Sequence, residues 1–594
     1  MRLVLAVLAA ALLGAVTAAA PGNAAKTAVA KGAPTGLHAF LLRPDEAAQQ
    51  YYPRTPSFTW NPYPRRGGTY DFQLATSKSF GDASVLFSYT HVAIPAVAVA
   101  HQLPWMTGQP YALWVHVRWE SANHKVVTPW SAPFGFNMRW LDSDVPRQLP
   151  APVGLVRWDP IEGATSYQVL FTDFRPAVSF QTTTNVADER EYFTFHSSFA
   201  ATVHWRVRAI RYIDDTDLLK NGLPRASYGP WSPTFTTVNP PQTLGSLAPA
   251  DTVSDTWDKT SQKGSAHELT PGFAWSPTAE VPGDVGSVGS PLYRVYIFTD
   301  NQCVNQVFAG SIVGSPAFAP RVTGGPFALP QTTTDLGKWT GPPYLETKGS
   351  EGNSFDATGA TVVSNETPGG SLNTTGGSGT NGSGSSGSSG TSGSSGSSTS
   401  GTSSSSATQD AMVDLWDSGW PTGRYYWTVV PVVVHSDGVA TDPTAGTPLE
   451  YQDVAVPQDA CQAGDMMSFG KVSQPVVTSS GTPWVSGLSP NGRVVASAAK
   501  IPAVHDSPLV AWQPAVGATT YEVQLSRRAY PWRVTWDHAT AATSVVLPLG
   551  PKQIGTWWYR VRGINPALPK GAQAMSWSSA VRLTITGDRF RILK

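Results

Sequence analysis

The stretch Trp158-Asp159-Pro160-Ile161-Glu162-Gly163-Ala164-Thr165-Ser166-Tyr167-Gln168-Val169 decides the reading of this chain, because it occurs again as Trp512-Gln513-Pro514-Ala515-Val516-Gly517-Ala518-Thr519-Thr520-Tyr521-Glu522-Val523. Each copy has a Trp-x-Pro step, a Gly-Ala-Thr turn, and a Tyr that opens an alternating apolar run. Two looser copies stand at Phe58-Thr59-Trp60-Asn61-Pro62, before the run Tyr70 to Leu74, and at Phe273-Ala274-Trp275-Ser276-Pro277, before Tyr293 to Ile297. Alternation at period two marks a strand with one buried face. Each unit then carries a further run of this kind, at Trp114 to Arg118, Trp205 to Arg208, Trp427 to Val430 and Tyr559 to Arg562. Three units show Trp-Ser before a last strand, at Trp130-Ser131, Trp231-Ser232 and Trp577-Ser578. The third has Leu449-Glu450-Tyr451 there instead. An internal repeat of this length organises everything else.

These segments resemble the fibronectin type III family, and the chain resembles bacterial secreted proteins built of such domains. The resemblance is closest in the second and fourth units. It is looser in the first, where Arg65-Arg66-Gly67-Gly68 alters the turn, and in the third, where 18 residues separate Trp275 from Tyr293. It implies a seven-stranded sandwich in which the Trp of the second strand packs on the Tyr of the third. The expected fold is all-β: a tandem array of four sandwiches at about 33–148, 149–240, 241–466 and 467–594. An antibody-like sandwich would need a Cys pair in every unit, and the chain has only two Cys. Pro146, Pro150, Pro152, Pro240 and Pro241 predict short, semi-stiff joints.

Composition agrees. The 594 residues allow about four domains. The 55 Gly, 50 Pro and 22 Trp favour short strands and turns. Only 14% of residues are charged, and 41 basic residues balance 41 acidic ones. Zero net charge removes the usual argument for a nucleic-acid or anionic-membrane partner. Between Gly376 and Ser406 every residue but Asn381 is Gly, Ser or Thr. Such a tract offers no apolar surface to offset ordering entropy, so a disordered insertion at about 331–409 is expected after the third strand of the third sandwich. Its Gly377-Ser378-Gly379-Thr380-Asn381-Gly382 matches a dinucleotide fingerprint by composition alone, since neither strand nor helix flanks it.

Met1-Arg2, an apolar run from Leu3 to Val16 and small residues up to Ala25 read as a secretory signal peptide over 1–25. The competing reading is a retained anchor, for which Leu3 to Ala20 is marginal in length. After cleavage no later segment is apolar enough to insert in a membrane, so a secreted or cell-surface location is expected.

In the fibronectin type III arrangement, Cys303 and Cys461 emerge at the same end of the third sandwich. Export then favours a Cys303–Cys461 disulfide that holds this unit closed around its insertion. Two unrelated thiols are the alternative. Neither Cys has metal-ligand spacing around it.

Nothing in the sequence reads as a catalytic site. The 11 His include no His-x-His or His-x-x-x-His pair, no phosphate loop occurs, and no nucleophile elbow follows a buried strand. Four sandwiches, a signal segment and an insertion leave no room for a catalytic domain, so neither enzyme activity nor a cofactor is expected. Asp214, Asp215 and Asp217 are weak calcium candidates, more simply read as a solvated turn. Tyr530, Trp532, Val534 and Trp536 share parity, so one extended strand would set them on a single face. Exposed, Tyr530, Trp532 and Trp536 could stack on sugar rings; buried, they are core, which is the preferred reading. Arg206-Val207-Arg208 and Arg560-Val561-Arg562 read as the polar face of a strand. The family's adhesive Arg-Gly-Asp is absent.

The expected function is a secreted or cell-surface, non-enzymatic binding or spacer protein whose partner is an extracellular protein or polysaccharide. The alternatives are a carbohydrate-binding accessory protein and a structural cell-surface component. In the last reading Asn365, Asn373 and Asn381 are glycosylation sequons by pattern.

Overall fold

The computed structural model describes residues 28–29, 32–64, 68–173, 177–193, 201–213, 226–241, 245–253, 266–267, 269–277, 292–310, 312–319, 423–435, 450–453, 457–471, 494–495, 503–504, 508–512, 514–550, 552–567, 573–575, 577–578 and 580–585. The expected signal segment (1–25), the insertion (331–409) and Asp214, Asp215 and Asp217 lie outside them.

Each repeat is a two-sheet sandwich. The smaller sheet has three strands: His38–Phe40, Ser57–Thr59 and Ala96–Ala98 in module 1, and Gln148–Leu149, Leu155–Trp158 and Val186–Asp188 in module 2. In module 3 these are Ala248–Val253, Gly272–Ser276 and Ala317–Phe318, and in module 4 Val494–Val495, Leu509–Ala511 and Ser544–Val546. The larger sheet is built around the Tyr-led strand. Gly68–Ala75 lies between Val85–Val92 and Leu113–Ser121, and Ser166–Phe171 between Val178–Thr182 and Ala201–Tyr212. Leu292–Phe298 lies between Gln306–Ala309 and Gly423–His435, and Thr520–Ser526 between Val534–Thr540 and Gly555–Ile564. The same order four times makes the chain all-β, with four fibronectin type III-like sandwiches.

The repeated Trp and Tyr meet edge to face in every module. Their ring centroids are 5.2 Å apart for Trp60–Tyr70, 5.4 Å for Trp158–Tyr167, 5.5 Å for Trp275–Tyr293 and 5.4 Å for Trp512–Tyr521. Such a pair contributes about 0.5–1.5 kcal/mol beyond its buried area. In modules 1, 2 and 4 the Tyr hydroxyl also accepts the backbone N–H three residues past the Trp, from Tyr63, Ile161 and Ala515. That bond ties the turn to the core strand. Gly163 and Gly517 hold φ of +84° and +85° in this turn, a conformation that a side chain disfavours.

Three boundaries differ from the sequence expectation. Ala28–Val29 pairs with Val126–Val127, so module 1 starts before residue 33. Met467–Lys471 pairs with Gly423–Trp427, so the last strand of module 3 lies beyond 466. Two further strands, Gln306–Ala309 and Ala317–Phe318, follow Leu292–Phe298 before the long undescribed stretch. The insertion therefore comes after them rather than after the third strand.

The modules are consecutive in sequence but interlocked in space. The small sheets of modules 1 and 4 face each other through Phe40, Ile94, Ala96, Leu509 and Ala511. Those of modules 2 and 3 do so through Leu155, Val186, Ala274 and Ala317. The cores of modules 1 and 2 form one apolar cluster that also takes in Ala567 of module 4, while Leu269 of module 3 joins the core of module 4. Polar contacts fix the register. Ser57 Oγ meets Ser544 Oγ at 2.6 Å, Gln102 donates to Thr519 Oγ1 at 2.8 Å, and Asn565 Nδ2 donates to the Thr165 carbonyl at 2.9 Å.

At the centre sits a buried ionic junction. Arg54 of module 1 donates to Leu41 O (2.7 Å), to Glu46 (3.1 Å) and to Glu162 of module 2. Arg211 of module 2 donates to Pro53 O at 2.8 Å, and Arg43 binds Asp144 at 2.9 Å. Three guanidinium groups thus balance the carboxylates of Glu46, Asp144 and Glu162, all of them largely or wholly buried. Burial lowers Arg211 to about 10 and raises Glu46 and Asp144 to about 7 and about 6, against the pull of Arg54 and Arg43.

Candidate functional site

The larger sheets carry the chemistry. In module 2 the long strand Ala201–Tyr212 pairs with Phe235–Asn239 along its first half and with Ala226–Tyr228 at its end. Trp231-Ser232 fills the break between these two pieces. Ser232 N–H donates to Val207 O at 2.9 Å, and its hydroxyl accepts Val207 N–H at 3.0 Å, standing in for a ladder carbonyl. Ser131 does the same to Val117, and Ser578 to Val561. The preceding Trp then lies over the residues that flank that valine. Arg206 and Arg208 stand 5.3 and 4.5 Å from the Trp231 ring, and Arg560 and Arg562 4.2 and 4.5 Å from Trp577. Trp-Ser and Arg-Val-Arg are therefore one device, a cation–π stack worth about 0.5–2 kcal/mol per contact.

Module 1 varies it. Arg118 lies 4.6 Å from Trp130, and His116 replaces the other arginine, stacked between Phe80 and Trp130 at 3.5 and 3.8 Å. Burial, assisted by Arg118, lowers His116 to about 4, so the ring is neutral at pH 7.

Module 3 replaces the stack by a covalent bond. Thr428 and Val430 occupy the arginine positions, and a helix, Pro457–Gln462, fills the break between Glu450–Asp453 and Met467–Lys471. That helix, not Leu449-Glu450-Tyr451, takes the place of Trp-Ser. It carries Cys461, which bonds to Cys303 in the turn after Leu292–Phe298 with the Cα atoms 6.1 Å apart. Val430, Tyr296 and Phe298 pack on the bridge. The expected disulfide is present.

The three candidate aromatics are not brought onto one strand face. The strand starts at Val534, and Arg527 to Arg533 form the turn before it. Tyr530 is 90% exposed, which overturns its reading as core. Trp532 is half-buried and extends the stack, with Arg560 at 4.4 Å from its ring. Trp536 is half-buried too, packed on the core of module 4 and stacked with His538 at 5.2 Å. Sequence reasoning missed the residues around Tyr530. Arg528 and Arg533 are exposed, and Arg527 lies 3.6 Å from the Trp557 ring. Val534 (47%) and Ile554 (58%) add exposed apolar surface at the same end of the sheet. Ser526 Oγ pins the turn, accepting the N–H groups of Arg528 (3.0 Å) and Arg533 (3.3 Å). The available signal was three arginines and two aromatics within seven residues.

A cleft of about 420 Å³ opens between modules 1 and 4, lined by His101, Gln102, Thr520, His538 and Ile564 among others. Burial lowers His538, with the His101 imidazole adding to the effect. Below it, Glu522 accepts from Arg562 at 2.6 Å, and burial raises its carboxyl.

No protein-family model matches this chain, and no curated protein does. Similar solved structures include the chicken interferon gamma receptor alpha chain, 8% identical, with 36% of this chain and 100% of that one covered at a TM-score of 0.16. Another is the chicken CNTN1 FN1–FN3 domains, 12% identical, with 45% and 79% covered at a TM-score of 0.12. At such scores the likeness carries no argument, and it is the strand order repeated four times that makes these sandwiches fibronectin type III-like.

Proposed function

We propose that the chain is an extracellular, non-enzymatic binding scaffold whose turn 527–533 contacts an acidic polysaccharide. The observation that carries this reading is Tyr530, 90% exposed at the tip of a pinned turn and flanked by Arg528 and Arg533. Neither of these arginines has an acidic partner among the described residues. An exposed aromatic ring offers a face for a pyranose ring, and guanidinium groups pair with uronate carboxylates in a planar, bidentate fashion. The interlocked modules hold this turn on a rigid support. Among the described residues no helix is long and apolar enough to cross a membrane.

Affinity electrophoresis tests the proposal. The protein is retarded in gels containing a uronate polysaccharide, more than in gels containing a neutral one. Tyr530→Ala and the pair Arg528→Gln with Arg533→Gln each remove the retardation, with melting temperatures near wild type because these residues are exposed. Equal mobility with and without glycan refutes the carbohydrate reading and leaves a protein partner.

A further inference from the structure

We propose that His91, Glu120 and His124 of module 1 form a surface site for a zinc ion. Their ligand atoms all lie within 4.8 Å of one another, and His124 Nδ1 is already 3.0 Å from Glu120 Oε1. The two imidazoles meet edge to face at 5.1 Å. Two imidazoles and one carboxylate form a borderline donor set that suits Zn²⁺, leaving a fourth position to water. Around a zinc ion, ligand atoms at about 2.1 Å stand about 3.4 Å apart, so small rotations of these side chains close the set.

The sheet delivers these residues from separate elements. Val85–Val92 and Leu113–Ser121 flank Gly68–Ala75 on opposite sides, a spacing of about 10 Å between strands two places apart. A bulge opposite Tyr70 to Phe72 interrupts the ladder and leaves His91 with a φ of +58°. Bulges of this kind re-aim a side chain. The Asp71 carboxylate accepts the His91 N–H at 3.4 Å and holds the bulge in place. His124 sits in the hairpin that leaves Leu113–Ser121, with a φ of +57° and its N–H bonded to Ser121 O at 2.8 Å. Ser121 Oγ, bonded to Asn123 and to the Val126 N–H, locks that hairpin. Both histidines thus have a backbone conformation that non-glycine residues seldom adopt, maintained by specific hydrogen bonds.

The test is calorimetric titration of the tag-free, full exported chain with Zn²⁺, alongside the visible spectrum with Co²⁺ as a probe of tetrahedral geometry. The wild type binds one equivalent of Zn²⁺ and gives a tetrahedral Co²⁺ spectrum. His91→Ala and His124→Ala each abolish both signals, and Glu120→Gln weakens binding at least tenfold. Metal-free melting temperatures of the two histidine variants stay near wild type, because both imidazoles are exposed. Absence of binding to the wild type, or binding that persists in the His91→Ala/His124→Ala protein, overturns the site.

Discussion

Arg54→Met lowers the stability of modules 1, 2 and 4 together, by about 3–5 kcal/mol. The side chain is almost wholly buried and joins Glu46 of its own module to Glu162 of the next. Removing it leaves two carboxylates desolvated with their main counter-charge gone, and it also orphans the Leu41 carbonyl. Calorimetry reads the effect as a downward shift of a transition shared by the three modules. Coupling is expected because Arg211 and Asn565 carry the contact network on to Pro53 and Thr165 across the same junction. Replacing Arg54, Glu46 and Glu162 together by apolar residues of similar volume restores much of the loss, since a buried ion group stabilises little relative to good apolar packing. A loss confined to module 1 would show that the modules melt independently.

The second large effect is in module 3. The pair Cys303→Ala with Cys461→Ala removes a bridge across a sequence separation of 158. Chain-entropy reasoning for a loop of that length gives about 5 kcal/mol. The loss falls on a sheet in which, among the described residues, no Trp–Arg stack compensates, because Thr428 and Val430 stand where the arginines do elsewhere. Calorimetry with and without reductant checks it. Reduction lowers the module 3 transition by as much as the double substitution does, and it leaves the shared transition of modules 1, 2 and 4 in place. An unchanged profile would mean that the bridge bears no load.

The fold was legible because its signals are local. Trp158 and Tyr167 lie nine residues apart and form their ring contact within one module, so the pattern and the contact coincide. The disulfide was legible for a simpler reason, since only two cysteines existed to pair. The stack was half legible. Trp231-Ser232 and Arg206-Val207-Arg208 were each visible as repeats, but joining them needs the register that sets Ser232 against Val207. Interfaces left no periodic trace. Glu162 in a turn reads as an ordinary solvated charge, and its partner Arg54 is 108 positions away. The His91, Glu120 and His124 cluster was invisible to motif spacing, since a bulge and a hairpin bring it together from three segments. Zero net charge also concealed local segregation: Arg527, Arg528 and Arg533 stand on one turn while the balancing carboxylates lie elsewhere.

The central claim is that modules far apart in sequence form one body, with module 4 folded back onto module 1. Ser57 and Ser544, 487 residues apart, test it most directly, because both are buried and their hydroxyl oxygens are 2.6 Å from each other. In the Ser57→Cys/Ser544→Cys protein, mass spectrometry of a non-reduced digest finds the two peptides joined by a disulfide, beside the native Cys303–Cys461 bridge. Free thiols at both positions in the folded protein would contradict the interlocked arrangement and restore a linear string of sandwiches.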